Sequence, residues 1–408
     1  MQLTSIGDKR VIVMAASTEI HATSSSTISH SGGRGRLFGM SWAHFLNDGS
    51  ANYLPGVLPA VLVALHQPVQ MAGTLMAALL IGQALQPLMG WLADRLGGRG
   101  MIWLGLTGST LGGAFLGFAH QVGFLIGFLL LIGIGNSMFH PQALAAVRGL
   151  VRDRQGLLLS VFLIGGELGR GVWPTIASWI VVHLGLTQIW LLAIPAVLTV
   201  PFVRFWAPSI PRKQGHQMAI RWRQHLGPMS LLIAFASTRS LITYGLVTFI
   251  PLLWHLEGGS LISGASIITT LLSVGVIGNL GGGHLADRFG RRSVLIISSI
   301  FVVILIPVFM LVHGAWIWVA AAFLGMALFA SAPVTILVGQ DIFPENRSLG
   351  SGIALGLANG IGAMLVFAVG LALTEGTVAD AIWFLSLIGI VSAIFAAVLP
   401  SSLQAETK

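Results

Sequence analysis

The chain of 408 residues contains no cysteine. Disulfide bonds, iron–sulfur clusters and thiolate chemistry are therefore excluded. The chain also lacks the glycine-rich P-loop motif that ends in Gly-Lys followed by Ser or Thr, so nothing in the sequence indicates coupling to ATP. Any ionic chemistry must come from carboxylates, imidazoles and guanidinium groups.

Charged side chains are scarce as well. They make up 8% of the chain, whereas soluble proteins carry about 25%. Hydrophobic residues make up 55%, and the mean hydropathy is +0.88. Because a soluble protein needs many more polar residues to cover its surface, this composition predicts an all-α membrane protein that crosses the bilayer many times. The 52 glycines suit helices that pack closely in lipid.

Apolar stretches long enough to cross a bilayer predict about twelve transmembrane helices, which we call spans and number in chain order. The predicted spans cover residues 38–64, 71–92, 101–119, 122–146, 156–182, 187–206, 229–254, 261–285, 293–312, 315–339, 348–373 and 378–400. The long basic link between spans 6 and 7 separates two sets of six.

This division predicts five regions along the chain. The first is a disordered cytoplasmic tail at 1–36, which is rich in Ser and whose short apolar run is too brief for a signal peptide. The others are an N-terminal six-helix bundle at 37–206, a basic cytoplasmic linker at 207–228, a C-terminal six-helix bundle at 229–400 and a cytoplasmic tail at 401–408.

Lys and Arg follow the even-numbered spans and are absent from the links after the odd-numbered spans. The positive-inside rule therefore predicts that the even links and both termini are cytoplasmic. The formal net charge of +8 then reflects topology and contact with anionic lipid rather than nucleic-acid binding. We expect a multi-pass protein of a bacterial inner membrane.

One loop motif occurs twice, as GWLADRLGGR at 90–99 and GHLADRFGRR at 283–292, with an offset of 193 residues. Each copy ends the second span of its half. The same offset aligns Arg154 with Arg347, just before spans 5 and 11. Two copies at equivalent places indicate two parallel, like-built halves.

With these loops, residues 37–400 resemble the major facilitator superfamily. HFLND in span 1, FHPQ at 139–142, RQGLLLSVFLIGGELG at 154–169 and GQDIFPENRSLGSGIALG at 339–356 resemble its fosmidomycin-resistance branch of drug exporters. That branch usually carries Glu after the His-Pro pair and Asn after the double Gly, where this chain has Gln142 and Glu167. The resemblance implies twelve transmembrane helices in two pseudo-symmetric six-helix bundles, with spans 1, 4, 7 and 10 around a central cavity.

The resemblance also implies a conformational latch on the cytoplasmic side. Asp94 would meet the start of span 11, and Asp287 the start of span 5, because helix starts favour anions. We expect the two loop glycines to allow close helix approach and the latch to stabilise the outward-facing state. The alternative is a solvated turn with local salt bridges. The predicted latch residues are Gly90, Asp94, Arg95, Arg99, Arg154, Gly283, Asp287, Arg288, Arg292 and Arg347.

Helical spacing places polar side chains of span 1 on one stripe, which is costly in a bilayer unless something polar faces it. Span 4 adds two polar residues one turn apart before Pro141, which we expect to break the helix, and span 7 adds two more. The prediction is a substrate site made of His44, Asn47, Asp48, Asn52, Asn136, His140, Arg170, Arg239 and Thr243. Purely structural hydrogen bonding between helices is the alternative.

Three residues are candidates for proton coupling. Asp48 is the first, because burial disfavours its charged form whereas a nearby cation favours it. Glu167 is the alternative; it stands three residues before Arg170, in a span whose Gly165 and Gly169 form a small-residue face. The pair could instead brace spans 5 and 8. His44 could relay protons.

The sequence therefore predicts a proton-coupled secondary transporter that exports a small drug-like or anionic compound by alternating access, and not an enzyme. The alternatives are a metabolite or metallophore transporter, including an importer or uniporter, and a non-transporting receptor. We expect a monomer whose partners are the substrate, protons and lipid, with no cofactor. No metal site is predicted, since five histidines at the periplasmic ends lack ligand spacing; these are His66, His120, His183, His255 and His313.

Overall fold

In a computed structural model of the chain, residues 30–150, 155–212, 222–344 and 347–400 are described. Most of the predicted N-terminal tail, the central part of the linker, Arg154 and the predicted tail at 401–408 lie outside the described residues. The side chain of Arg347 does as well. Predictions that concern these parts therefore stay predictions.

The described chain is an all-α structure in which helices are joined by short links. The helices of the first half are His30–Asn52, Leu54–Ala64, Met71–Gln83, Gln86–Leu96, Gly100–Phe115, Val122–Leu150, Gln155–Leu184, Ile194–Thr199 and Val203–Trp206, with 3-10 turns at Leu116–Phe118, Leu186–Ala193 and Val200–Phe202. Those of the second half are Trp222–Leu256, Leu261–Phe289, Arg291–Leu311, Trp316–Ala330, Ala332–Ile342, Arg347–Gly352, Ala358–Leu371 and Val378–Val398, with a π-helix at Ile353–Leu357 and a 3-10 turn at Glu375–Thr377.

These helices confirm the predicted membrane fold. Within the described ranges, nine helical segments are long and apolar enough to cross a bilayer. Helical segments also occupy the places of the three remaining spans, at 30–64, 155–184 and 347–371. Every predicted span therefore corresponds to helix, and the predicted ends differ by a few residues.

Prolines interrupt several spans, because proline lacks the N–H that the helix needs. Span 1 breaks at Tyr53, just before Pro55, and span 10 breaks at Ser331, just before Pro333. The prediction for Pro141 was wrong, since span 4 runs as one helix from Val122 to Leu150 with Pro141 inside. Neighbouring helices can support a proline within a membrane helix.

The first helix begins at His30, within the stretch expected to be disordered. The Nε of Arg36 donates to the Trp206 carbonyl at 3.1 Å and so attaches this helix start to the end of span 6. The linker is also partly ordered, because Ile210 pairs with Gly98 through two backbone hydrogen bonds. The helix of span 7 begins at Trp222, before the boundary predicted at residue 229.

The two halves contact each other through spans 2 and 11 and through spans 5 and 8. Near the start of span 2, Gly73 approaches Gly370 so closely that a Cβ on Gly73 would lie 2.8 Å from the Gly370 Cα. Towards the other end of span 2, Pro87 packs against Gly356. Spans 5 and 8 are joined by a hydrogen bond of 2.6 Å between the Thr175 and Thr269 hydroxyls. The polar stripe of span 1 therefore lies inside the protein and not in lipid.

Candidate functional site

Asp48 is the centre of a buried polar cluster between spans 1, 4 and 5. Its side chain is 3% exposed. Its Oδ1 accepts hydrogen bonds from Asn47 Nδ2 at 3.0 Å and from Asn136 Nδ2 at 3.2 Å. Imidazole nitrogens lie close to the same carboxylate, with His140 Nε2 3.2 Å from Oδ1 and His44 Nε2 3.5 Å from Oδ2. All five side chains belong to the predicted substrate site, and the structure brings them together.

The orientation of both imidazole rings is set by the hydrogen bond that each Nδ1 makes. His44 Nδ1 lies 2.8 Å from the Phe162 carbonyl, and His140 Nδ1 lies 2.8 Å from the Asn136 carbonyl. A carbonyl oxygen only accepts hydrogen bonds, so each Nδ1 carries a proton. The two Nε2 atoms therefore face each other, 3.1 Å apart, beside the carboxylate. We call His44, Asp48 and His140 the His–Asp cluster.

Glycines of span 5 allow span 1 to come this close. A Cβ on Gly165 would lie 2.4 Å from the Ser41 carbonyl oxygen, and one on Gly169 would lie 2.0 Å from that of Phe45. A Cβ on Gly166 would lie 2.3 Å from the His44 ring. The predicted small-residue face of span 5 is therefore confirmed, with span 1 as its partner.

The predicted pair on span 5 is present and lies next to the His–Asp cluster. Arg170 Nη1 is 3.6 Å from Glu167 Oε2, and Arg170 Nη2 is 3.9 Å from Asp48 Oδ2. The Arg170 and Glu167 side chains are 25% and 20% exposed. Arg170 therefore lies between the carboxylate of Asp48, which is enclosed, and that of Glu167, whose side chain is more exposed.

A small cavity of about 20 Å³ lies between the two halves. Three of the predicted substrate residues line it, namely Asn52, Arg170 and Thr243. Apolar side chains supply most of the rest, including Met76 and Phe329. Spans 1, 2, 5, 7, 8 and 10 all contribute to the lining. Mostly apolar walls with a few polar groups are typical of small-molecule sites.

Arg239, another residue of the predicted substrate site, is buried, but its guanidinium bonds span 10 and does not join the His–Asp cluster. Its Nη2 donates to the Ala327 and Leu328 carbonyls at 3.0 and 2.6 Å, and its Nε donates to the Ser331 hydroxyl at 3.1 Å. These carbonyls belong to the last turn of a helix that ends at the break in span 10, where backbone acceptors lack partners. Arg239 therefore supports the broken span 10 and makes no described contact with Asp48.

The latch residues predicted from the two loop motifs lie at the ends of spans 2 and 8 and at the starts of the spans that follow them. Arg99 donates to the Arg204 and Ala207 carbonyls, and Arg292 donates to the Ala397 carbonyl. The repeat offset of 193 residues relates Arg99 to Arg292 and Arg204 to Ala397. The two motif arginines therefore cap the last span of their own half in the same way. This shared contact supports the internal repeat.

The other latch residues give a mixed result. Arg95 stacks on Trp91 at 3.8 Å, and Arg288 stacks on Phe289. The end of span 2, which carries Asp94, contacts the start of span 11. The expectation that the loop glycines allow close approach was wrong for the described residues. A Cβ on Gly90 would make only an ordinary contact with Pro141, and one on Gly283 would meet nothing.

Sequence reasoning missed Tyr244, which lines the cavity beside Thr243. The chain has only two tyrosines, and Tyr53 bonds the Gly113 carbonyl at 2.6 Å. An isolated tyrosine within a membrane span could have been noticed for that reason. Ser109 was missed too; its hydroxyl donates to Asn47 Oδ1 at 2.8 Å and holds the amide that bonds Asp48. Nothing in the sequence pairs Ser109 with span 1.

Comparisons with known proteins agree with this architecture. A family model described as the Major Facilitator Superfamily matches residues 40–367. A protein of Bacillus subtilis described as the uncharacterized MFS-type transporter YfnC is 28% identical over 369 residues, which cover 86% of this chain and 90% of that protein. The fosmidomycin resistance protein of Escherichia coli is 22% identical over 348 residues, which cover 83% and 86%. The putative multidrug resistance protein MdtD of Cronobacter sakazakii is 24% identical over 265 residues, which cover 61% and 56%.

A solved structure has the same fold. It is a bacterial homologue of the human lysosomal transporter Spinster, in an inward-facing and occupied conformation, with a TM-score of 0.74 and 15% identity. The match covers 91% of this chain and 98% of that one. At this identity the likeness concerns the fold alone.

Proposed function

The chain belongs to the Major Facilitator Superfamily and is a multi-pass membrane transporter, not an enzyme, and from that premise we propose that it exports a small anionic or drug-like compound in exchange for protons. The observation that carries this proposal is the group of ionisable side chains inside the protein, Asp48, Glu167 and Arg170, beside a cavity lined by both halves. Ionisable groups inside a membrane protein mark substrate or proton paths.

The direction and substrate class rest on two separate supports. Two of the relatives named above carry drug or fosmidomycin resistance in their names, which favours export. The guanidinium of Arg170 lines the cavity, which favours a substrate with an anionic group. We place the protein in a bacterial inner membrane, as a monomer with both termini in the cytoplasm.

For the proton carrier, the structure favours Glu167 over the residue that the sequence ranked first. A carrier must exchange its proton with water. Asp48 is enclosed by two amides and two imidazoles, whereas the Glu167 side chain is 20% exposed, and its Oε2, although itself buried, accepts no hydrogen bond from a described residue. Asp48 and His44 remain the second candidates.

Proton coupling of this kind supplies enough energy for concentrative export. A proton-motive force of about 150 mV supplies about 3.5 kcal/mol per charge moved. That energy sustains a concentration ratio of about 350 for one proton per substrate. Opening and closing of the cavity would use the cytoplasmic latch, in which Asp94 meets the start of span 11 and Asp287 meets the start of span 5.

The test measures internal pH in proteoliposomes loaded with a pH-sensitive dye while anionic compounds, beginning with fosmidomycin, are added. We expect wild type to show compound-dependent proton movement and Glu167→Gln to lose it while still exchanging labelled compound without a gradient, because the cavity is kept. Glu257→Gln is the matched control, since Glu257 is an exposed carboxylate outside the site.

The same assay separates the alternatives. Loss of coupling in Asp48→Asn but not in Glu167→Gln would return the carrier role to span 1. Transport that needs no gradient in wild type would indicate a uniporter and contradict the proposal. Proton movement in the opposite sense, with substrate entering, would indicate an importer.

A further inference from the structure

We propose that the His–Asp cluster binds a divalent first-row transition-metal ion through Nε2 of His44, Nε2 of His140 and the carboxylate of Asp48. All three groups offer one ligand atom each, and these atoms lie within 4.8 Å of one another. The sequence predicted no metal site, because it pointed to histidines at the periplasmic ends and not to this pair.

The geometry leaves three electron-pair donors facing a common point. Both Nδ1 atoms carry protons because they bond carbonyl oxygens, so both Nε2 atoms of neutral imidazoles present lone pairs. They are 3.1 Å apart and both lie beside the carboxylate. If one Nε2 carries a proton, that proton can bond only one acceptor. The lone pair of the other Nε2 then still faces the carboxylate. A metal ion satisfies all three donors at once.

The separations fit one central ion. With ligand bonds of about 2.0–2.1 Å, nitrogen atoms 3.1 Å apart subtend an angle of about 100° at the metal. The 3.2 Å distance joins His140 Nε2 to Oδ1 and the 3.5 Å distance joins His44 Nε2 to Oδ2, so the carboxylate presents one oxygen to each imidazole, at separations that an ion with such ligand bonds can bridge. These values suit a site with three protein ligands on one side of the ion.

The surroundings also match those of metal ligands. Ligating histidines usually donate their other N–H to a backbone carbonyl or carboxylate, and ligating carboxylates are themselves hydrogen-bonded. Both histidines make such a bond, and two amides hold Asp48. Asp48 and Glu167 carry two negative charges against the single positive charge of Arg170, so the neighbourhood keeps a net negative charge that favours a cation.

The ligand set restricts which ions and which cargo the site can bind. Two imidazoles and one carboxylate suit zinc, nickel, cobalt or copper better than calcium or magnesium, which prefer oxygen ligands. Three protein ligands leave a coordination position open, unlike closed structural sites. His140 and Arg170 are the more exposed members beside it. Provided that the proposed export function holds, the cargo is a small chelating anion carried as its metal complex, with Arg170 facing its negative charge.

The first experiment measures metal binding by the purified full-length protein in detergent, with a histidine-free tag and after removal of metals with EDTA. Calorimetry with Zn²⁺ should show one saturable site, and Co²⁺ should give visible absorption bands. His140→Gln should weaken Zn²⁺ binding about 100-fold or more, since even outer-shell partners cost about 10–100-fold. Mg²⁺ should give no such site.

His183→Gln is the matched control. His183 also bonds a carbonyl four residues earlier, that of Trp179, but it is exposed and no described carboxylate lies beside it. It should bind Zn²⁺ as wild type does. Absence of saturable binding in wild type, or equal binding by wild type and His140→Gln when both elute as folded protein, overturns the metal site.

The second experiment tests the open position. Acetohydroxamate, a small chelating anion, should change the Co²⁺ bands of wild type while Co²⁺ remains bound to the protein. Unchanged bands would overturn the ternary complex and leave the metal site standing. Neither readout involves transport, so failure of Zn²⁺ binding leaves the proton-coupling assay of Glu167→Gln intact, and failure of that assay leaves the binding result intact.

Discussion

Replacing Gly169 with alanine tests whether close contact between spans 1 and 5 holds the site together. The new Cβ would lie 2.0 Å from the Phe45 carbonyl oxygen, where ordinary contact begins at 3.4 Å. The helices must therefore separate by about 1.4 Å, and overpacking of this kind costs about 1–3 kcal/mol. Separation also lengthens the 3.9 Å contact between Arg170 and Asp48, which at an effective dielectric constant of about 20 weakens it by about 1 kcal/mol. The better helix propensity of alanine offsets about 1 kcal/mol, so we expect a net loss of about 1–3 kcal/mol.

The assay is unfolding in mixed detergent micelles, followed by tryptophan fluorescence. Gly127→Ala is the control, because Gly127 is exposed on span 4 and its added Cβ would meet no described atom. That variant should unfold like wild type or slightly later. If Gly169→Ala were as stable as Gly127→Ala, the close seam between the spans would not be needed, and the reasoning that links it to the site would be refuted.

Two further predictions concern single side chains. Gln142 donates to the Gly97 carbonyl at 3.0 Å and accepts from the Ile102 N–H at 3.1 Å. Gln142→Met should lower the free energy of unfolding by about 2–6 kcal/mol, because it leaves two buried backbone groups unpaired at about 1–3 kcal/mol each. A variant as stable as wild type in the same micelle assay would contradict this. Tyr244→Phe should raise the KM for the transported compound about 2–10-fold by removing one hydrogen bond to it, without a change in unfolding; an unchanged KM would show that the hydroxyl does not contact the compound.

The polar stripe of span 1 was visible in the sequence because helical periodicity is local. His44 and Asp48 are four residues apart, so any helix places them on one face. The pairing of Glu167 with Arg170 follows from the same rule and was confirmed. The partner of Arg239 could not be predicted in this way, because it depends on where span 10 breaks and which carbonyls are left without partners.

The repeat was a second source of correct prediction, since matching motifs at one offset imply matching structure. It did not reveal what each motif residue contacts. Arg99 and Arg292 proved to cap carbonyls within their own halves, whereas the resemblance placed them in a latch between the halves. Loop glycines also gave a misleading signal, because a glycine is identical in sequence whether or not another helix lies against it.

The sequence by itself determined that the chain crosses a membrane many times, that its halves are related, and that ionisable groups face inward. Those properties follow from hydropathy, internal repetition and the cost of charge in lipid. Only the tertiary structure decided that two imidazole nitrogens 3.1 Å apart and a carboxylate converge on one point. That convergence depends on the Phe162 carbonyl of span 5 and on glycines that bring span 5 against span 1. Contacts between residues more than a hundred positions apart leave no local pattern from which ring orientation can be inferred.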